Sequence, residues 1–573
     1  MTKSTSEIFQ RLSQDKSKRE IAYFTMEVAL DDELPSYSGG LGVLAGDTLR
    51  SAADLGIPMV GMTLLQQYGY FHQGLDESGN QIEKEVRWNP ELKLTELPNY
   101  IELRIENRRI QVRVWEYDVI GKYGYVVPVY FLDVNFAENA PHDRAINKQL
   151  YGGDLYVRLC QEIILGIGGV RMLRDLGYRD ILKYHLNEGH ASLLALELIR
   201  ESGYNSFEKI KKHCIFTTHT PVPAGHDVFD FEMVKRVMNP VYIDYLREIL
   251  GGENPVNLTT LSLKLSDFIN GVSQKHAEVS RNMFKKPHIQ RITNGIHSAS
   301  WTSLGFKKLF DQHIPGWDVD PAHFAKVMLI PDDEIWKAHM MAKGKLMRLI
   351  EDETGISMNL NLLTIGFARR AAGYKRADLI FSDIERLSKI GCDKIQIVFA
   401  GKAHPRDNEG KWVIKKVFEG IHKLEGKIDV AYLQNYGMRL GGIVTSGVDV
   451  WLNNPQRPRE ASGTSGMKAA HNGVLNFSVL DGWWIEGCVE GVTGWAIGPD
   501  PEEKNLVDYD ERKDTDSLYQ KLEHTIIPMY YEDRKRWIHM MKSAIALNAA
   551  YFNTHRMIKE YALRAYHVTP LFQ

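Results

Sequence analysis

Across 573 residues the chain carries only four cysteines, Cys160, Cys214, Cys392 and Cys488, and they are scattered. Neither a disulfide scaffold nor a cysteine metal cluster fits that pattern; no metal is expected and a reducing compartment is favoured. An excess of charge is missing too. Lys and Arg number 70 against 73 Asp and Glu, a formal net charge of −3, so there is no broad electrostatic case for nucleic acid or an anionic membrane. Any anion must be met locally. No run approaches the roughly eighteen apolar residues of a membrane span, and the start, MTKSTSEIFQRLSQDKSKRE, has no apolar core or cleavage pattern. That start reads as a short amphipathic helix or a frayed end, and the chain as cytoplasmic. Repeats, low-complexity tracts and Pro/Gly/Ser linkers are likewise absent.

What is present reads as α/β. With 44% hydrophobic and 25% charged residues, the chain has enough apolar material for more than one core. IAYFTMEVAL, GIPMVGMTLL, the pair IELRIE/IQVRVWEYDV and YVVPVYFLDV predict strands; Leu155 to about Leu176 predicts a long helix. YHLNEGH then leads from a strand into the helix ASLLALELIRES, and Cys214–Thr218 ends as a buried strand in the turn HTPVPAGHD. In the second half LLTIGFA, IQIVFAG, KIDVAYL, VDVWLN and VLNFSV predict strands, most separated by helical patterns. Short apolar runs alternating with helices imply a parallel sheet covered on both faces. The boundary is expected in the tract Asn294 to Asp320, giving domains at 1–300 and 301–573. Because ligands of such sheets bind beyond the carboxyl ends of the strands, polar residues just after strands are the candidates.

Three motifs stand there. Ser38-Gly39-Gly40-Leu41-Gly42 precedes a helix expected over Gly46 to Leu55, where glycine amides and the helix dipole favour an anion; no Gly-Lys-Ser/Thr follows, so it is not a Walker A loop. Arg369-Arg370-Ala371-Ala372-Gly373-Tyr374-Lys375-Arg376 sets four cations after a buried strand. A solvated basic loop is the ordinary reading of such a run, but its place favours phosphate binding. In Glu460-Ala461-Ser462-Gly463-Thr464-Ser465-Gly466-Met467-Lys468, small residues free amides and hydroxyls for an anion or a sugar. A helix beginning near Thr464 would put Lys468 about one turn inside. A lone lysine is usually a surface residue; beside an anion site it can carry a Schiff base if its pKa is lowered. Asn187-Glu188-Gly189-His190, Thr218-His219-Thr220 and Thr293-Asn294-Gly295 also sit at strand ends, with Trp301 and Tyr436 near two of the motifs in sequence. Directed polar groups beside flat apolar faces suit a sugar.

Together the blocks SGGLGVLAGD, YGYFHQG, LYGGDLYVRLCQE, LNEGHAS, TTHTPVPAGHD, ITNGIH…W, YKR, VFAGKAHP and NPQRPREASGTSGMKAAHNG resemble the α-glucan (glycogen/starch/maltodextrin) phosphorylases, in the shorter prokaryotic branch, from Tyr23 nearly to the C-terminus. The resemblance implies a GT-B architecture, two Rossmann-like domains facing across a deep cleft, with the last helix, about 552–568, crossing back to the first domain. It implies retaining, reversible phosphorolysis of an α-1,4-glucan end to α-glucose 1-phosphate. Pyridoxal 5′-phosphate would form a Schiff base with Lys468 and act through its phosphate. Thr464, Ser465 and nearby amides would hold that phosphate, with Arg369 and Gly40 beside it and Trp301 and Tyr436 lining the pocket. Arg370, Lys375 and the Gly40 amide match groups on the substrate phosphate. Glu460, Ala461, Ser462, Gly463, His219 and Asn294, with Gly39, Leu41, Asn187, Glu188, His190 and Tyr374, match the sugar-binding surroundings. Mammalian-type members have lysine at the position of Arg369, histidine at Ala372 and arginine at Gly437. The first block comes early, so control through an N-terminal extension is not expected. The family makes a homodimer the prior. Two other readings are a nucleotide-sugar glucosyltransferase of the glycogen-synthase kind, which has no use for Lys468, and a glucan-binding protein that has lost catalysis.

Overall fold

A computed structural model describes residues 14–203, 206–222, 225–252, 254–286, 288–499 and 510–572; the helix or frayed end expected over the first dozen residues lies outside them. The first sheet has nine strands. In spatial order they are Gln290–Arg291, Phe268–Gly271, Cys214–Thr217, Lys183–Asn187, Ile21–Phe24, Met59–Leu64, Val126–Asp133, Arg108–Ile120 and Thr95–Ile105. Seven run parallel and the last two join antiparallel. Central strands such as Met59–Leu64 are buried at every residue, as a sheet covered on both faces requires. The edge strand Thr95–Ile105 instead alternates, Ile101, Leu103 and Ile105 inward, Tyr100, Glu102 and Arg104 outward.

The second sheet has six strands, all parallel, in the order Val430–Leu433, Ile395–Ala400, Leu363–Ala368, Val450–Asn453, Leu475–Val479 and Gly494–Ile497. Numbered along the chain, that is 3-2-1-4-5-6, the doubly wound order whose direction reverses between the first and fourth strands. The reversal lies between Leu363–Ala368 and Val450–Asn453. In the first sheet the corresponding reversal lies between Ile21–Phe24 and Lys183–Asn187. These crevices hold the candidate motifs. The strand Gly494–Ile497 was not anticipated: it is four residues long and opens on a glycine.

Several contacts join the two sheets. The hairpin His72–Leu75/Gln81–Lys84 reaches across: Gln73 Nε2 donates to the Gly401 carbonyl at 2.7 Å and Gln81 Nε2 to that of Ala403 at 2.9 Å. A cavity of 650 Å³ opens between this side and residues 434–440, walled by Tyr37, Ser38, Tyr70, Lys402 and Tyr436 among others. The C-terminal helix, Thr554–Tyr561 extended through Tyr566, returns to the first sheet as expected. It buries Met557, Ile558, Tyr561, Ala565 and Tyr566 against Ile21, Tyr23, Leu49 and Ala52. Its phenols anchor it, Tyr566 Oη to His185 Nδ1 at 2.6 Å and Tyr561 Oη to Thr217 Oγ1 at 2.9 Å. The four cysteines are unpaired, and no described helix is long and apolar enough to cross a membrane.

Candidate active site

At the second sheet's switch point, the strand Leu363–Ala368 delivers Arg369 and a tight turn, Gly373–Lys375, while Val450–Asn453 delivers the loop to Glu460. The Arg369 guanidinium donates to Asn453 Oδ1 and, at 2.5 Å, to Glu460 Oε2; Lys375 Nζ donates to the same oxygen at 2.5 Å. All three charged groups are buried. Burial alone would raise the Glu460 carboxyl, but the two cations outweigh it and hold it at about 2. The sequence suggested phosphate partners for these cations and a sugar for Glu460; in the structure they are paired with one another. Arg370 differs from its neighbour. It stays open to solvent, bonded to Tyr374 and within the field of Tyr70 and Glu27. Arg376 turns away altogether, with φ +49° and bonds to the Asn454 and Pro455 carbonyls and Asp514. Of the four cations, then, one is a fastener of the fold.

The glycine loop starts its helix at Gly40, earlier than expected, and the helix runs to Asp54. Its first-turn amides have no intrahelical acceptor. A Cβ at Gly39 or Gly40 would meet nothing within 4 Å, whereas one at Gly42 would lie 2.6 Å from Tyr37 Cβ and one at Gly46 2.0 Å from the Ala29 carbonyl oxygen. Two glycines thus serve open space and two serve packing. We expect Gly46→Ala to destabilise the fold by about 1–3 kcal/mol. Gly40→Ala should leave stability within about 0.5 kcal/mol and, on the expectation that this loop takes an anion, raise that anion's dissociation constant about tenfold, because its methyl enters the open space. Thermal melts and anion titration of both variants check this.

Glu27, which the sequence reading passed over, anchors this loop. Its Oε2 accepts from the Ser38 N–H at 2.6 Å and the Gly39 N–H at 3.2 Å, and its Oε1 from the Tyr151 hydroxyl at 3.0 Å.

Lys468 lies on the helix Ser465–Ala470, which begins one residue after Thr464, as anticipated. The ammonium nitrogen sits 3.5 Å from the centroid of the Trp301 ring, and Trp301 Nε1 donates to Asp47 Oδ2 at 2.7 Å. Three distant segments therefore meet at this side chain. Burial pushes the Lys468 amine down to about 8 against the upward pull of Asp47, leaving about a tenth of it neutral at pH 7. Gly466 has no room for a side chain, since a Cβ would lie 2.3 Å from Asn476 Oδ1. Ser465 Oγ accepts from Trp451 Nε1 at 3.2 Å, and Gly463 turns with φ +80°. Ser462 Oγ is buried without a partner. Tyr436 is half-buried on the wall of the 650 Å³ cavity.

From the first sheet, Asn187 Oδ1 accepts from His219 Nε2 at 2.7 Å. Glu188, held at φ +75°, takes the His219 N–H at 2.7 Å and Thr220 Oγ1 at 3.0 Å on Oε2. Burial depresses His219 to about 3, so it is neutral. His190 Nε2 lies 3.2 Å from Asp227 Oδ2, and its ring faces Tyr151, the partner of Glu27. Asn294 is buried, its carbonyl accepting from Arg556. Ser273 Oγ donates to the Ala461 carbonyl at 2.6 Å and ties this side to the Glu460–Lys468 loop. Asp481, a second residue not anticipated, accepts the Glu460 N–H at 2.9 Å; burial, with a smaller push from the Glu460 charge, raises it to about 7. Like Glu27 it follows a sheet strand closely, so the strand-end rule was the signal available for both.

Two doubly wound sheets, one parallel and one largely so, presenting their switch points to a shared polar crevice make this a GT-B fold. The family model described as carbohydrate phosphorylase matches residues 241–492. The chain is 42% identical to the maltodextrin phosphorylase of Thermococcus litoralis, over 96% of this chain and 71% of that one. It is 36% identical to the glycogen phosphorylase of Aquifex aeolicus, over 96% and 87%. With the glycogen phosphorylase of Mycobacterium tuberculosis it shares 35%, over 95% and 70%. The chain belongs to the carbohydrate phosphorylase family.

Proposed function

We propose that the protein is an α-1,4-glucan phosphorylase that carries pyridoxal 5′-phosphate on Lys468, with the 1–300 and 301–573 parts as its two domains and the cytoplasm as its compartment. The observation that carries the reading is the buried Lys468 amine, lowered to about 8 and set against the Trp301 face, on the same loop as Glu460 with its two cations. Such a cofactor needs an amine that loses its proton near neutrality, a flat apolar wall and polar groups for its phosphate. Lys468, Trp301 and the loop of Thr464 and Ser465, with the unpartnered Ser462 hydroxyl close by, fit these needs. When bound, the cofactor supplies a second phosphate group beside the substrate phosphate.

The chain's own residues then divide the work. Arg370 is open and cationic, ready to take inorganic phosphate, and Lys375 joins it by exchanging Glu460 for the incoming anion. The freed Glu460 carboxylate turns to the terminal glucose with the Ser462 and Gly463 amides, His219 and Asn294. Neutral His219, donating from Nε2 to Asn187, keeps Nδ1 as an acceptor for a sugar hydroxyl. The bound phosphate gives its proton to the departing glucan oxygen, the C1–O bond breaks, and a phosphate oxygen bonds C1 from the same face. Charge on phosphate is best held by preorganised cations in a site shielded from water. This is not the two-carboxylate chemistry of glycosidases.

The test is phosphorolysis of maltodextrins of several lengths, comparing wild type with Arg370→Ala. The variant should raise the KM for phosphate about tenfold to a hundredfold, the loss of one charge-assisted contact of about 1.5–3 kcal/mol, with glucan binding little changed. Equal loss for both ligands, or turnover without phosphate, would count against the assignment.

A further inference from the structure

Away from the crevice, three side chains from three parts of the chain converge. Asp54 ends the helix that begins at Gly40, His297 follows the edge strand Gln290–Arg291 of the first sheet, and His555 lies in the first turn of the returning C-terminal helix. One ligand atom from each lies within 4.8 Å of the others. His297 Nε2 is 2.8 Å from Asp54 Oδ2, and His555 Nε2 lies at ion-pair distance, 3.4 Å, from the same oxygen. His555 is 1% exposed, and its Nε2, with no well-formed hydrogen bond, is aimed into the cluster at the Asp54 carboxylate.

The opposite atom of every group is already engaged. His297 Nδ1 bonds Ser300 Oγ at 2.7 Å, His555 Nδ1 lies 3.3 Å from Ser51 Oγ, and Asp54 Oδ1 accepts the Lys122 N–H at 2.8 Å. The arrangement matches the outer-shell pattern that orients metal ligands, in which an imidazole held by an oxygen at Nδ1 turns Nε2 inward to the ion. The two rings stack, 18° from parallel with centroids 5.6 Å apart, which brings both Nε2 atoms to the carboxylate.

We propose that Asp54, His297 and His555 bind one divalent transition ion of the zinc class, with water from the partly exposed Asp54 side completing the coordination. Two imidazoles and a carboxylate suit zinc or cobalt(II) and fail the all-oxygen preference of magnesium or calcium. The site is structural. Helix rise puts Asp54 roughly 20 Å from Gly40, so the ion lies far from the phosphate loop. It clips the returning helix to the helix that carries Gly39 and Gly40, and it fixes the segment that delivers Trp301 to Lys468. Spacing along the sequence offered no hint, because the ligands come from opposite ends of the chain.

The full-length protein, loaded with zinc and passed through gel filtration, should retain about one ion by elemental analysis. Zinc should raise its melting temperature, and magnesium should not. Asp54→Asn and His555→Gln should each weaken zinc binding at least tenfold and abolish the zinc-dependent rise in melting temperature. Cobalt(II) bound to the wild type should show the visible ligand-field bands of a low-coordinate nitrogen and oxygen site, a readout that needs no folded variant. Retention of no zinc by folded wild type, zinc binding unchanged in both variants, or a cobalt spectrum of the aquo ion would overturn the proposal and leave a hydrogen-bonded His–Asp–His cluster.

Discussion

Replacing Lys468 by alanine is expected to lower phosphorolysis by at least about 10³-fold and to remove any pyridoxal-type absorbance from the purified protein. The effect is large because the proposed cofactor, with its phosphate, would be lost together with the amine. Removal of a single preorganised donor already costs about 10²–10³. The fold should survive, since a buried amine with a depressed pKa is a cost to stability that alanine relieves. Lys468→Arg sharpens the result. Arginine keeps a cation over Trp301 but supplies no amine, so it should be as inactive as alanine. In the wild type, uptake of pyridoxal phosphate by cofactor-free protein should rise about tenfold per pH unit below the Lys468 value of about 8 and level off above it, following the neutral amine. Activity within tenfold of wild type in Lys468→Ala, or an unchanged absorbance band, would contradict the role given to this residue.

The second large effect is expected at Glu460. Its single oxygen Oε2 accepts from both Arg369 and Lys375, so Glu460→Gln leaves two buried cations without their anion. Losing one partner of a buried ionic cluster destabilises by about 3–5 kcal/mol. Inorganic phosphate should reverse part of this, because it can replace the carboxylate: at a hundred times its dissociation constant it stabilises by about 2.7 kcal/mol. Turnover should meanwhile fall about 10²–10³-fold, as the glucose loses an anionic partner. The pH response follows from the depressed carboxyl. In the wild type the Glu460 contribution is fully present above the unfolded value of 4.5 and is lost as pH falls toward about 2. The variant should lack that acid-side loss. Urea unfolding with and without phosphate at neutral pH and near pH 4 reads all of this. Wild-type stability in Glu460→Gln, with no response to phosphate, would show that the cation pair is not built for an exchangeable anion.

Much of this was legible because the strands are short, wholly buried runs. LLTIGFA, VDVWLN and VLNFSV could be nothing but strands covered on both faces, and the residues just after them had to face the crevice. That rule located Arg369, Glu460, Asn187 and His219. It failed where direction, rather than position, decides. Arg376 and Lys375 are adjacent, yet one points to Asp514 and the other to Glu460, because Arg376 takes a left-handed turn that no run of four cations announces. The helix start at Gly40 was missed because glycines argue for a turn; here they begin the helix, two leaving space open and two admitting close packing. Nothing in the sequence marks Asp47 out, because its partner, Trp301, stands 254 positions on. Pairings across such distances are set by the fold, and a single sequence does not carry them.

Transfer of glucose from glucan to inorganic phosphate in this crevice is open to a direct measurement. Purified protein loaded with pyridoxal phosphate should be given maltodextrin and phosphate, and the products followed by phosphorus NMR. α-Glucose 1-phosphate should form with retention, in proportion to the glucose removed and only when phosphate is present. Release of free glucose, formation of the β-anomer, or glucan extension from a nucleotide sugar without phosphorolysis would contradict it.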